Sequence, residues 1–354
     1  MQSPPSNRPR LSRSRRVWIG AAVSLVLLVL FFYRVDFGEI GRALAGANYV
    51  YVLPAVAVLV ALMALKAVRW QYLLKHMKPV RLGRVFSAEV IGHMANAILP
   101  LRLGELARAY LLGQKEGISK VSTLATVAVA RVFDGLALLL FAVLLFVFLP
   151  LSDWLKQATY VVAAIFVCVL VLFLLMASSK ERMKRLTAFL ARPLPHGWKP
   201  RIEEWSALFV TGLEGLTSPA RVCAVFALSL VVWLGEGLQF YFVGLSFGLG
   251  QPFQVMLLAS TAANLALLLP SSPGGVGNFE YFTAAVVTTF GVGAGSAAAY
   301  AIALHIVLLL PVVLLGLYFL WAGHMSLADV THGPGAEQYP GGAEKQPAPL
   351  NTPQ

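Results

Sequence analysis

Ala263-Asn264-Leu265-Ala266-Leu267-Leu268-Leu269-Pro270-Ser271-Ser272-Pro273-Gly274-Gly275-Val276-Gly277-Asn278-Phe279-Glu280 is an apolar run broken in its middle by prolines, glycines and serines and closed by an acid. It lies in the stretch between Arg221 and Asp329, where the only Asp, Glu, Lys or Arg residues are Glu236 and Glu280. Roughly 20 apolar residues span a bilayer core, so this stretch crosses lipid more than once. A broken segment at that depth places irregular backbone where only protein or a water-filled cavity can satisfy its polar groups.

The same pattern occurs earlier, as Ala95-Asn96-Ala97-Ile98-Leu99-Pro100-Leu101-Arg102-Leu103-Gly104-Glu105. Both runs read Ala-Asn, apolar residues, Leu-Pro, a Gly-bearing turn, then Glu. The offset grows from 168 at Asn96/Asn264 through 170 at Pro100/Pro270 to 175 at Glu105/Glu280, as small insertions in the second turn would produce. Long apolar spans flank each run, at about 49–68 and 121–149 and again at about 222–247 and 297–322. The chain therefore reads as an internal repeat, with repeat one at 49–149 and repeat two at 222–322.

Composition supports a membrane solvent: 58% of residues are hydrophobic, 12% are charged and mean hydropathy is +0.74. The net charge of +12 raises a nucleic-acid partner, but the basic residues sit in short segments between apolar spans, where they set topology instead. Lys plus Arg number five in 1–16, six in 66–84, four in 101–120 and eight in 178–221, against two in 34–48, one in 150–157 and none in 247–296. Positively charged loops face the cytoplasm. The expectation is an all-α polytopic protein of the cytoplasmic membrane with both termini cytoplasmic. Six full crossings fall at about 17–33, 49–68, 121–149, 157–178, 222–247 and 297–322. The two broken segments then form re-entrant hairpins that enter from opposite faces, an inverted repeat. Residues 1–16 and 323–354 read as disordered cytoplasmic ends, and Ile202, Trp205, Leu208, Phe209, Leu213 and Leu216 form an interfacial stripe in the 178–221 loop. Cys168 and Cys223 are too few for a disulfide framework or a metal site, and no cofactor is expected.

Paired Gly/Pro-interrupted segments in inverted repeats point to a binding site between them. A broken helix presents free backbone N–H groups and a positive dipole end, both suited to an anionic headgroup. Pro100 and Pro270 cannot donate a backbone hydrogen bond; Pro273, Gly274, Gly275 and Gly277 shape the second turn, Gly104 the first, and Arg102 and Arg108 add positive charge. Ionisable residues at bilayer depth cost ~3 kcal/mol each even on lenient scales, which makes them site candidates. Arg131 and Asp134 share one helical face, either as a mutual ion pair or as part of a pathway. Glu89, His93 and Asn96 form a polar stripe into the first break, with Glu89 either solvated or functional. Glu236 and Gln239 form another polar face. His305, alone before Pro311, reads as a hydrogen-bonded packing residue, with a proton carrier as the alternative. Glu105 and Glu280 are equivalent under the repeat, and three roles stand for them: carrying protons, holding a substrate cation or bracing the turns.

Arg69-Trp70 with Leu73-Leu74, Asn96 through Arg108 followed by Tyr110-Leu111-Leu112, Arg131 with Asp134, and Pro270 through Glu280 resemble the lysylphosphatidylglycerol synthase transmembrane-region family of flippase-like membrane proteins. The resemblance covers most of 15–322, and the Pro-Gly-Gly-Val-Gly turn is its most specific part. The family pattern has an acid directly before the arginine of the third span, where this chain has Ala130. In larger members this region translocates aminoacylated phosphatidylglycerol and is joined to a soluble aminoacyl-transfer domain. Ending at 354, this chain has no room for that domain, so the resemblance implies the translocating part.

The expected function is translocation of an anionic lipid or lipid-linked headgroup, with anionic phospholipid or polyprenyl-phosphate-linked species as partners. A second copy of the chain or an envelope enzyme is the expected protein partner. The alternatives are an intramembrane lipid-modifying transferase and an accessory subunit. The sequence contains no His-Glu-x-x-His pair, Gly-x-Ser-x-Gly elbow or Walker loop.

Overall fold

The structure, a computed structural model, describes residues 11–33, 36–99, 103–148, 219–267 and 272–323, with isolated positions between 157 and 168. Pro100, Arg102, Pro270, most of the expected 157–178 crossing, the 178–221 loop with its apolar stripe, and the tail beyond 323 lie outside the described residues. The helices are α1 (Leu11–Phe32), α2 (Phe37–Gly46), α3 (Val52–Leu74), α4 (Leu82–Ile98), α5 (Gly104–Glu116), α6 (Lys120–Phe148), α7 (Pro219–Ser246), α8 (Phe253–Ala266), α9 (Asn278–Thr289) and α10 (Ala294–Ala322). Among the described residues, four stretches are long and apolar enough to cross a membrane: Tyr49–Leu74, Lys120–Leu145, Ala220–Ser246 and Ala294–Ala322. They match the four spans that flank the broken segments. Helix α1 begins at Leu11 rather than at 17, because Leu11 to Arg16 contain no proline or glycine to stop a helix propagating back toward Pro9.

The broken segments fold as helical hairpins. At 1.5 Å per residue α5, α8 and α9 are each about 20 Å long, short of the ~30 Å hydrocarbon core. Helix α4 stops where Leu99 turns extended (φ −92°, ψ 142°), the conformation a following proline imposes. Helix α5 stops at Gly117, which adopts φ 65° while its N–H bonds Gly113 O. The arms of the first hairpin pack through Gly92 and Gly104: a Cβ on Gly104 would run into the Gly92 carbonyl oxygen and lie 2.7 Å from the Asn96 nitrogen. In the second hairpin a 3-10 turn at Pro273–Gly275 joins α8 to α9, with positive φ at Gly274, Gly275 and Gly277.

Within α3 to α10, exchanging α3–α6 for α7–α10 converts each helix contact into another. α3–α4 becomes α7–α8, α4–α5 becomes α8–α9, α5–α6 becomes α9–α10, α4–α10 becomes α8–α6, α3–α6 becomes α7–α10, and α6–α7 becomes α10–α3. The α3–α7 contact maps onto itself, and these two helices run antiparallel. Asn48 N–H donates to Ser246 O at 2.7 Å at one end, while Lys66 and Arg69 farther along α3 meet Glu236 and Ser229 earlier along α7. Equivalent helices packed antiparallel are the arrangement that repeats of opposite orientation produce.

Small residues let the backbones approach. Ala297, Ala298, Ala299 and Ala301 on α10 are buried, and Gly235, Gly237 and Gly316 lie against Leu62, Leu257 and Met94. The outer faces are apolar and exposed, as at Ile306, Leu310, Leu314 and Leu317 along α10, with Tyr318 and Trp321 at its end. That stripe suits acyl chains, and its terminal aromatics suit a headgroup boundary.

Candidate functional site

Each hairpin ends in a carboxylate held by a base on the following long helix. In the first, Asn96 Oδ1 accepts from Gly104 N–H at 2.8 Å, fixing the start of α5. Glu105, in the first turn of α5, lies with Oε1 2.7 Å from Arg131 Nε on α6, at an angle that makes the contact an ion pair rather than a directed hydrogen bond. In the second, Glu280 Oε2 accepts from Gly277 N–H at 2.7 Å and so caps α9. Its Oε1 meets His305 Nδ1 on α10 at 2.5 Å, and His305 Nε2 faces Gly274 O at 3.1 Å. Arg131 and His305 are 174 apart, almost the 175 of Glu105 and Glu280, so the two ion pairs are equivalent. His305 is therefore a hydrogen-bonded partner of the second turn. The matching offset was the signal that identifies it.

The equivalence of Asn96 and Asn264 does not extend to their bonds. Asn264 Nδ2 donates back along α8 to Ser260 O, and Asn278 Nδ2 crosses the second hairpin to Ala266 O instead. The longer second turn moves that task to its far side. The second turn meets the first hairpin: the Pro273–Gly275 turn packs on α4, and a Cβ on Gly274 would lie 3.3 Å from Ala97 O.

The remaining buried charges belong mostly to repeat one. Asp134 receives a two-pronged contact from Arg69, at 2.5 and 3.2 Å, and a bond from Trp233 Nε1 at 3.2 Å; Arg69 also donates to Ser229 Oγ at 2.6 Å. Arg131 reaches Asp134 at only 3.3 Å. The expected Arg131–Asp134 pair is thus a weak edge of a cluster in which Asp134 belongs to Arg69 and Arg131 to Glu105. Glu89 is 2% exposed and paired with Arg108, which rules out the solvated reading. Arg108 also stands over the Trp70 ring, 5.1 Å from its centroid, so its charge is consumed within the first hairpin and its packing. Lys66 and Arg69 lie in the body of α3, 7% and 3% exposed, not in the loop to which the charge count assigned them. The count still favours the same orientation through Lys75, Lys78, Arg81 and Arg84.

Where α3 crosses α7, Lys66 Nζ lies 3.6 Å from Glu236 Oε1. These residues are 170 apart, within two of the Asn96/Asn264 offset of 168, and so occupy nearly equivalent positions of the two repeats. Glu236 Oε2 is buried with no hydrogen-bond partner. Beside them is a cavity of about 110 Å³ walled by Lys66, His93, Glu236 and Gln239 and by apolar residues including Leu59, Leu308 and Leu309. Among the described residues α4 contributes only His93 to it, and neither Glu105 nor Glu280 lines it. Lys66 escaped the sequence reading because a lysine near the end of an apolar span resembles a topology signal, while His93 is legible as part of the polar stripe into the first break.

The profile of the family described as "Lysylphosphatidylglycerol synthase TM region" matches residues 17–316. A UPF0104 membrane protein of Methanothermobacter thermautotrophicus is 27% identical over 314 residues, 84% of this chain and 91% of that protein. A UPF0104 membrane protein of Methanocaldococcus jannaschii is 29% identical over 197 residues, 52% of this chain and 75% of that protein. The glycosyltransferase AglD of Haloferax volcanii is 25% identical over 303 residues, 77% of this chain and 49% of that protein.

Proposed function

Because the chain belongs to the lysylphosphatidylglycerol synthase TM region family of multi-pass membrane proteins, we propose that it translocates the headgroup of an anionic or polyprenyl-phosphate-linked lipid across the cytoplasmic membrane. The observation that carries this reading is the cavity at the α3–α7 crossing, with one equivalent residue from each repeat facing it. A site at the centre of an inverted pair is reached alike from either face as the repeats rock. The hairpins then act as re-entrant gates, entering from opposite sides, with the termini cytoplasmic.

Charge balance says how such a site works. Lys66, Arg69, Arg108 and Arg131 are matched by Glu236, Asp134, Glu89 and Glu105. Three of these pairs are tight, and Lys66–Glu236 is the loose one. A phosphate oxygen takes Lys66, and a hydroxyl or amine donor of the same headgroup takes the unpartnered Glu236 Oε2. The apolar walls face the start of the lipid tail, which stays in the bilayer.

The test is movement of headgroup-labelled phosphatidylglycerol and of a labelled polyprenyl phosphate in proteoliposomes. Movement of one of them by wild type, its loss in Lys66→Gln and its retention in Lys66→Arg is the expected result. Full movement in Lys66→Gln refutes the site, and no movement of either lipid by correctly inserted protein counts against translocation. A lipid-modifying role is the second reading, favoured by the name of the Haloferax relative, a glycosyltransferase, about half of whose length this chain matches. Its sign would be a covalently altered lipid in extracts of expressing cells.

A further inference from the structure

The equivalent ion pairs of the two hairpins differ in one respect: the base is arginine in the first and histidine in the second. A guanidinium stays charged and carries five donors, so Arg131 serves Glu105 and Asp134 together whatever the pH. An imidazole has two nitrogens and one dispensable proton.

In the second hairpin both nitrogens are engaged. Gly274 O can only accept, so the His305 Nε2 that faces it carries a hydrogen. Nδ1 faces a carboxylate oxygen at 2.5 Å, so a second proton lies between Nδ1 and Oε1 of Glu280. The pair with that proton is neutral overall. Without it, an imidazole that keeps Nε2–H turns the Nδ1 lone pair onto the carboxylate lone pairs, and the contact opens. An imidazole that moves its hydrogen to Nδ1 keeps Glu280 and drops Gly274. Deprotonated, the ring holds one partner and not both.

The two partners are the parts of one turn. Gly274 begins it, and Glu280 closes it through the Gly277 N–H. Around the pair, α1 presents Ser24, whose hydroxyl accepts from Ser272 N–H, α4 presents the Ala97 carbonyl, and the Phe279 ring lies 4.4 Å from the imidazole. Asn264 on α8 bonds its own helix. Among the described residues no other charged side chain forms an ion pair with Glu280 or His305; His93, Lys66 and Glu236 line the central cavity instead. Leu309 joins the two places: it is a wall of the cavity, and its Cδ1 would be 3.5 Å from a Cβ on Gly274.

We propose that Glu280 and His305 form a binding site for one exchangeable proton, and that releasing this proton to water unfastens the Gly274–Gly277 turn from α10 and loosens the cavity wall at Leu309. The first hairpin, latched by arginine, has no such release. Coupling of this site to headgroup movement rests on the translocation reading; the proton site itself does not.

The experiment uses purified protein in detergent with Cys168→Ser and Cys223→Ser and a reporter thiol at the exposed Val276, by Val276→Cys. Maleimide labelling rates are measured from about pH 5 to about pH 9. The same reporter in His305→Arg and in Glu280→Gln corrects for the thiol's own ionisation. The wild-type rate, divided by that of either variant, rises roughly fivefold with pH, the population shift expected from losing one net hydrogen bond. A ratio flat across the range for both variants overturns the proton site. In proteoliposomes carrying labelled phosphatidylglycerol, an imposed pH gradient then changes headgroup movement in wild type and not in His305→Arg. Equal responses to the gradient overturn the coupling. A pH-dependent labelling ratio with no lipid movement supports the proton site and removes the translocation reading instead.

Discussion

Asp134→Asn keeps the shape of a side chain that joins both repeats and removes only its charge. Asp134 on α6 is held by Arg69 on α3, which also donates to Ser229 on α7, while Trp233 on α7 donates to Asp134 itself. The side chains of Arg69 and Asp134 are 4% and 6% exposed, so the substitution leaves a guanidinium buried without its counter-charge and turns one acceptor into a donor that faces it. Breaking a buried pair in this way costs about 3–5 kcal/mol. At about 1.3 °C per kcal/mol, from an unfolding entropy of about 2.1 cal/mol/K per residue over the chain, the unfolding midpoint falls by about 5 °C. The double variant Arg69→Met/Asp134→Leu removes both charges and fills the space with apolar atoms, which is often neutral for a buried pair. It still orphans the Trp233 N–H, a loss of about 1–3 kcal/mol. The midpoint of the double variant therefore lies above that of Asp134→Asn and below wild type. Tryptophan-fluorescence melting of detergent-solubilised protein, with size-exclusion recovery after heating, measures all three. A double variant less stable than Asp134→Asn would refute the reasoning, since it would mean that the pair is worth more than the desolvation of its charges.

Gly104→Ala, which drives a methyl group into the Gly92 carbonyl, destabilises the first hairpin by about 1–3 kcal/mol or more, whereas Gly41→Ala, with no atom within 4 Å of the added carbon, leaves the melting midpoint within a degree or two. Tyr300→Phe removes a hydroxyl that donates to Phe240 O at 3.0 Å in the tightest part of the core and lowers stability by about 1 kcal/mol, read in the same melt. Cysteines placed one at a time at Ser119 and Gly293, which precede the long helices after each hairpin, react with a membrane-impermeant maleimide from opposite faces of sealed vesicles; labelling of both from one face would end the inverted re-entrant topology.

Sequence alone reaches far here where periodicity and spacing carry the information. The four long spans appear within a few residues of their bounds, since an uninterrupted apolar run has one stable form in lipid. The hairpins follow from Pro100 and Pro270 and from the glycines that repeat beside them. What stays hidden is which charge meets which. Arg131 and Asp134 lie three residues apart and suggest each other, yet Arg69, 65 residues from Asp134, makes the shorter contact because α3 packs on α6 and α7. Lys66 carries no local sign that it faces Glu236 instead of the lipid headgroups.

The repeat supplies the missing information once it is extended beyond the broken segments. At an offset of 170 Lys66 falls on Glu236, and at 174 Arg131 falls on His305. In an antiparallel pair of equivalent helices, a residue near the crossing point meets its own counterpart, so opposite charges at that one position attract where identical charges would repel. Duplication by itself would leave two lysines or two glutamates there. The lysine of one repeat and the glutamate of the other thus make the crossing neutral while placing both a cation and an anion at the centre of the bundle. The same logic separates the two hairpins. On the proposal above, an arginine at one hairpin and a histidine at the other give two halves of matching architecture a different response to a proton. Exchanging the two bases, as His305→Arg/Arg131→His, accordingly moves the pH-sensitive turn from the second hairpin to the first, where Asp134 still holds its Arg69 contact and keeps the fold closed.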